Sequence, residues 1–302
     1  MNLITFTFRK LSPLFLAGLI GVLLLANFAP SQAQPSSDAS SAEYNITNNL
    51  EAFNLDESEP ILPEELEQSE SPLENGRLIF GEDNRVPMTT TKYPWSAIGR
   101  IQGISASGES YICTGALIGV DVAITNAHCV IDPATHQWSR QVSFAPNLIN
   151  GRLQSANDLA QVVEAKAGTD FQETNGGFSP DDWAILKLNK PLGLKYGTLN
   201  WQALPTSTLS EHSDQFAMVG YSGDFPPEEP GETASAHLGC SIKGEASQML
   251  LHDCDMFSGS SGGPILGKIN NEFRIVGINF GSINSPDTGI AANLAVKVSR
   301  IR

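Results

Sequence analysis

A serine framed by glycines, Gly259-Ser260-Ser261-Gly262-Gly263-Pro264, is the stretch of this chain best equipped for chemistry. A hydroxyl is a weak nucleophile until a base stands within reach and backbone N–H groups are free to hold the oxyanion that forms on a carbonyl. Glycines let the main chain turn such N–H groups inward with no side chain in the way. Taken alone, the string is equally a polar turn between two strands, so the partners decide. His128, in Thr125-Asn126-Ala127-His128-Cys129, follows an apolar run and stands beside a cysteine. If Cys129 is tied to Cys113, the imidazole is fixed to the preceding strand, the restraint a general base needs. His136, His212, His237 and His252 have no comparable setting. Asp182 heads Asp182-Trp183-Ala184-Ile185-Leu186. A carboxylate leading into a buried strand is costly unless its charge is used, and an imidazole N–H is a suitable partner. Asp181 competes for the role; Asp182 is preferred because it directly precedes the tryptophan that opens the strand. Cysteine and histidine occur together, but their spacing fits no familiar zinc pattern. No metal and no other cofactor is expected.

Chain order separates the architectures that use such residues. An α/β-hydrolase places its histidine after the serine, yet the last histidine here, His252, precedes Ser261. An aspartate-first order would rest on Asp121, which lacks a fitting context. What remains is the order His128, Asp182, Ser261.

The elements that must position these residues begin near Leu78. From there, short apolar and β-branched runs alternate with Gly, Pro, Asn and Asp: Ser96–Ile101, Ile112–Val120, Val122–Thr125, Val142–Phe144, Ala184–Leu188, Phe216–Tyr221, Ile265–Gly267, Phe273–Phe280 and Gly289–Val298. Runs this short, with turn signals between them, read as strands of an all-β fold, and their number suits two small barrels better than one. Asn157–Lys166 is a modest helical candidate that could also be a strand. The four cysteines allow three connectivities. Local pairing, Cys113 with Cys129 and Cys240 with Cys254, is the simplest.

Residues 1–33 have the layout of a secretory signal: Arg9 and Lys10, an apolar block from Leu14 to Ala26, and small residues at Ser31 and Ala33. Residues 34–77 hold 11 acidic side chains between Gln34 and Gly76 and no basic one, the composition of a disordered segment. It reads as a propeptide or as a solvated linker, and Arg77 is a reasonable cleavage point. Residues 78–302 form the compact part. The formal net charge of −15 argues against nucleic acid and anionic membranes as partners. The expected mature protein is a monomer, secreted or periplasmic, with no membrane attachment once the signal is removed.

Thr125-Asn126-Ala127-His128-Cys129, Asp182-Trp183-Ala184-Ile185-Leu186 and Gly259-Ser260-Ser261-Gly262-Gly263-Pro264 together resemble the three signatures of the trypsin-like, chymotrypsin-fold serine proteases. Phe80-Gly81-Glu82-Asp83-Asn84-Arg85, Tyr93-Pro94-Trp95-Ser96 and His252-Asp253-Cys254-Asp255 add a likeness to secreted bacterial glutamyl endopeptidases. The resemblance implies two perpendicular six-stranded β-barrels with an active site in the cleft between them, and a protein or peptide substrate. It implies Ser261 as nucleophile, His128 as general base and then acid, and Asp182 as the orienting carboxylate. Gly259 and Ser261 would supply the oxyanion-hole N–H groups. Asn279, Phe280, Gly281 and Ser282 would line the cleft, with Asp255 as a further substrate-binding residue.

Two departures stand out. Trypsin and chymotrypsin carry an aspartate before the serine that binds the new N-terminus; here that position is Ser260. Glutamate-specific members place a histidine where this chain has the uncharged Asn279. A buried carboxylate at Asp255 would reject an acidic side chain, yet V8-like proteins without trypsin specificity often have an aspartate there, which leaves a structural role open, so the residue preceding the scissile bond is left unnamed. A second reading, from a different class, is a serine-protease-like binding protein that has lost activity.

Overall fold

Turn residues cut this chain into short stretches, each with just enough apolar side chains to cover one face of a sheet. The structure, a computed structural model, describes residues 79–174, 177–285 and 290–302. The leader, the acidic segment and the Arg77–Leu78 junction lie outside the described residues. The strands are β1 (Arg85–Pro87), β2 (Ile98–Ile104), β3 (Ser110–Gly119), β4 (Val122–Thr125), β5 (Gln141–Pro146), β6 (Ala160–Ala167), β7 (Ala184–Leu188), β8 (Asn200–Trp201), β9 (Phe216–Gly220), β10 (Ser235–Cys240), β11 (Ile242–Ala246), β12 (Met249–His252), β13 (Pro264–Ile269), β14 (Glu272–Ser285) and β15 (Ile290–Lys297). Two short helices, α1 (Gly193–Tyr196) and α2 (Thr206–Ser210), link them. The described residues all fall in one compact unit.

The first half closes on itself as a six-stranded antiparallel barrel in the order β2-β3-β4-β7-β6-β5, with β5 pairing back onto β2. Ile101, Leu117, Ile124, Phe144 and Leu186 are buried in its core. The second half is a nine-stranded sheet ordered β1-β10-β9-β13-β14-β15-β12-β11, with β8 parallel to β14. Only Ser241 separates β10 from β11, so the two form one continuous bent strand. That strand joins both ends of the path β9-β13-β14-β15-β12 and gives a second six-staved barrel, to which β1 and β8 are edge additions. A satellite core of Leu209, Phe216, Met218, Ile242, Leu250 and Val276 packs around the Cys240–Cys254 disulfide.

The expected strands appear with shifted ends, and Asn157–Lys166 takes the strand alternative. A 3-10 turn at Ala156–Asp158 leads into β6, whose Ala160, Val162 and Ala165 turn inward while it pairs with β7. β-Branched Val162 and Val163 favour that extended backbone. Both local disulfides form, Cys113–Cys129 and Cys240–Cys254.

Candidate active site

Strand β7 begins at Ala184, and the turn before it carries Asp182 into the interior, where it is 1% exposed. A buried carboxylate needs a donor on each oxygen, and His128 provides both. Its backbone N–H donates to Oδ1 at 2.9 Å, and its ring Nδ1 lies 2.7 Å from Oδ2. With Nδ1–H directed at the carboxylate, the neutral ring keeps its lone pair on Nε2. Burial opposes charging the His128 ring, but the charge of Asp182 and its hydrogen bond raise the pKa above the ordinary 6.5. Asn126 Nδ2 donates to the Asp182 carbonyl at 2.6 Å, tying the end of β4 to the start of β7. The Cys113–Cys129 bridge anchors the other side of His128 to β3. Asp181 faces elsewhere: its carboxylate pairs with the Arg300 guanidinium, Nε to Oδ1 at 2.7 Å.

Ser261 sits on a turn that only glycines can make. Gly259 has φ +97°, and a Cβ there would stand 2.5 Å from the Tyr221 carbonyl oxygen. Gly262 has φ +84°, and its Cβ would lie 2.1 Å from Thr125 Oγ1. Both conformations and both contacts exclude a side chain. The turn is docked on the first barrel through Thr114 of β3. Thr114 N–H donates to the Ser261 carbonyl at 2.7 Å, and its hydroxyl donates to the Gly259 carbonyl at 3.0 Å. Within the turn, the Ser260, Gly262 and Gly263 N–H groups donate to Phe257, Asn279 and Ser260 carbonyls. Among the described residues the Gly259 and Ser261 N–H groups have no such acceptor. Nor does a hydrogen bond join Ser261 Oγ to His128 there, although the Cys129 sulfur lies 3.7 Å from the Ser261 carbonyl oxygen. Such contacts commonly tighten only when substrate binds.

Phe280 lies edge-on to the His128 ring, centroids 6.3 Å apart, and the exposed Phe178 covers it at 5.2 Å. A bulge between Asn279 and Gly281 sets this register. Gly281 and Ser282 pair with Leu294 and Asn293 of β15, while the pairing of β14 with β13 ends at Ile278. A Cβ on Gly281 would meet nothing within 4 Å, so the space above it is open. From Phe257 and Ser258 a groove of about 780 Å³ extends past Tyr111 and Ile112 to Gln102 and Gln141 on the first barrel.

At two of the expected substrate-binding positions the side chains are engaged inside the protein. Asn279 is fully buried, and Nδ2 donates to the Ser260 carbonyl at 3.1 Å and to its hydroxyl oxygen at 3.3 Å. Through these bonds from its amide nitrogen, the side chain supports the serine turn. Asp255 is also buried, 1% exposed, and its carboxylate accepts from the backbone N–H groups of Phe80 and Asn84 and from Asn84 Nδ2. With its oxygens so occupied, it ties Phe80 and Asn84 to the loop that precedes Ser261. Thr114 and Asn126 escaped sequence reasoning. Their only signal is a polar residue beside a half-cystine or ahead of the Ala-His pair. Cys113, His128 and Cys129 cluster closely enough for a metal, but both sulfurs are spent in the disulfide and cannot ligate as thiolates.

Comparison with known proteins places this geometry among relatives. A family model described as trypsin matches residues 84–302. The glutamyl endopeptidase of Staphylococcus aureus (strain MW2) is 24% identical over 222 residues, 72% of this chain and 61% of the relative. A protein named extracellular metalloprotease from Bacillus subtilis (strain 168) is 25% identical over 207 residues, 67% of this chain and 61% of the relative. The chain thus spans about three fifths of the length of these curated relatives. A solved Glu endopeptidase shares the fold, with TM-score 0.58 and 22% identity over 74% of this chain and 95% of that one.

Proposed function

Because this chain belongs to the trypsin family of serine proteases, we propose that it is a secreted serine endopeptidase that cleaves peptide bonds through an acyl-enzyme on Ser261. The observation that carries the reading is the doubly bonded Asp182–His128 pair, set across the barrel junction from a glycine turn that presents Ser261. Ser261 Oγ attacks the scissile carbonyl carbon while its proton passes to His128 Nε2. The oxyanion is held by the Gly259 and Ser261 N–H groups, at roughly 3–4 kcal/mol per donor in the transition state. His128 then protonates the leaving amine as the C–N bond breaks. Water, deprotonated by His128, releases the acyl group and restores Ser261. Asp182 fixes the tautomer throughout and stabilises the imidazolium. The substrate backbone adds as a strand along the open edge of Phe280–Ser282.

Residues 1–33 act as the signal and residues 34–77 as a propeptide released near Arg77, and the two disulfides suit an oxidising compartment. The glutamate preference in the relative's name is not part of the proposal. Asn279 brings no positive charge, and its buried amide bonds the Ser260 carbonyl.

The test exposes the chain from Gln34, and a form starting at Leu78, to a fluorophosphonate, beside Ser261→Ala. Labelling that disappears in the alanine variant and survives chelators supports the proposal. Labelling only in the Leu78 form makes residues 34–77 an inhibitory propeptide. A folded protein that labels in neither form moves the silent binding-protein reading ahead.

A further inference from the structure

Among the described residues, the most heavily bonded buried charge apart from Asp182 and His128 is Arg85, which is 1% exposed and opens β1. Its Nε and one terminal nitrogen bind both oxygens of Asp83, at 2.9 and 2.7 Å. The guanidinium also bridges both oxygens of Asp224, at 2.8 and 3.0 Å, and its carbon lies 4.9 Å from the centre of the Phe225 ring. This fork-to-fork geometry fixes both partners in angle as well as distance. The adjoining residues Phe80 and Asn84 clamp the Asp255 carboxylate, with backbone distances of 3.0 and 2.9 Å. The Asp255 N–H in turn donates to His237 Nδ1 at 2.7 Å; burial lowers the pKa of that ring, so it stays neutral and accepts.

Both ends of this network reach the nucleophile turn. Asp255 lies six residues before Ser261 in the same loop. Asp224 follows Gly223, whose N–H donates to the Ser258 carbonyl at 2.7 Å. Tyr221 donates its N–H to Thr114 Oγ1 at 2.8 Å, the same hydroxyl that holds Gly259. The Tyr221 carbonyl lies against the bare Gly259 Cα. Residues 80–85 therefore grip the loop carrying Ser261 at its start, and grip through Asp224 the segment on which Ser258 and Gly259 rest. The position directly before the nucleophile is Ser260, which has no charge to receive an N-terminal ammonium.

We propose that Arg85 is a positioning residue that holds the Gly259–Ser261 turn in its oxyanion-binding shape from within the chain, through Asp224 and alongside the Asp255 clamp. The organising cation is a side chain, present whatever residue begins the chain. The catalytic use of that shape rests on the serine-endopeptidase reading; the mechanical coupling does not.

Two variants test it in the full chain from Gln34: Arg85→Lys, whose single ammonium cannot span two carboxylates, and Asp224→Asn, which cuts the bridge at a partly exposed partner and leaves the Arg85–Asp83 pair in place. The first readout is amide hydrogen exchange. Faster exchange confined to residues 221–225 and 256–263, with the first barrel unchanged, is expected. The second is the fluorophosphonate rate, expected to fall about 100-fold, the scale of an ångström's misplacement, while the amount of Ser261 that finally labels stays full. Exchange in the turn as slow as in the parent chain, in both variants, would overturn the proposal. So would an acceleration spread evenly over both barrels, which a merely structural ion cluster would produce. If the parent labels neither as the chain from Gln34 nor as the form starting at Leu78, but the turn still loosens in the variants, the latch stands and the endopeptidase reading falls.

Discussion

Two aspartates stand side by side before β7, and their surroundings assign them opposite work. Asp182 is buried against both N–H donors of His128, while Asp181 is partly exposed and pairs with Arg300. Asp182→Asn should slow labelling of Ser261 by about 10³–10⁴-fold, because an amide there favours the wrong imidazole tautomer. Asp181→Asn should leave the rate near that of the parent and cost at most about 1 kcal/mol, as partly exposed ion pairs do. Equal losses in the two variants would reverse the assignment. The pH profile carries the same logic. In the proposed mechanism the base is the neutral ring, and Asp182 raises the His128 pKa, so the rate should climb with pH through a midpoint above 6.5. Asp182→Asn removes the attracting charge and should move that limb down. The sequence already favours Asp182 over Asp181, because it directly precedes Trp183; the burial of one carboxylate and the ion pair of the other add a physical reason that the sequence does not contain.

At the scale of elements, β3 supplies both Cys113 and Thr114, so one strand anchors the histidine by a covalent bond and the serine turn by hydrogen bonds. The Cys113–Cys129 bridge spans 16 residues, a loop whose closure is worth about 3 kcal/mol. Replacing both cysteines by alanine should lower the unfolding free energy obtained from denaturant titration by about that amount and slow labelling per folded molecule. An unchanged rate at reduced stability would show that strand pairing alone positions His128. Strands with dense apolar runs, such as β4, β7 and β13, are legible from residue type. Strands β10 and β11 are not. His237-Leu238-Gly239-Cys240 and Lys243-Gly244-Glu245 carry glycine and charge, with exposed positions among the buried ones. They become strands because neighbours in the barrel satisfy their backbone groups.

At the scale of the molecule, the second barrel keeps two histidines away from water. Burial pushes the His252 pKa down to about 4 and lowers that of His237 as well. An unfolded histidine takes up a proton near 6.5, whereas the folded His252 does so only near 4. Its contribution is therefore present above pH 6.5 and lost as pH falls to 4, roughly 3 kcal/mol in all. Urea unfolding at pH 7 and pH 4.5 should show that decline, flattened in His252→Gln; an identical decline in the variant would place the acid sensitivity elsewhere. Sequence alone determined what depends on neighbours along the chain. The glycine turn around Ser261, the disposition of His128 beside a half-cystine, the His-Asp-Ser order and the all-β texture are set by local dihedral freedom and short-range periodicity. Only the tertiary structure decided what depends on burial across the barrels. It turned Asn279 inward beneath Ser260, spent Asp255 on backbone 171 residues away, and linked Arg85 to Asp224 across 139 residues. A buried polar group is directed by whichever donor or acceptor survives desolvation beside it, and that neighbour is chosen by the packing of distant strands.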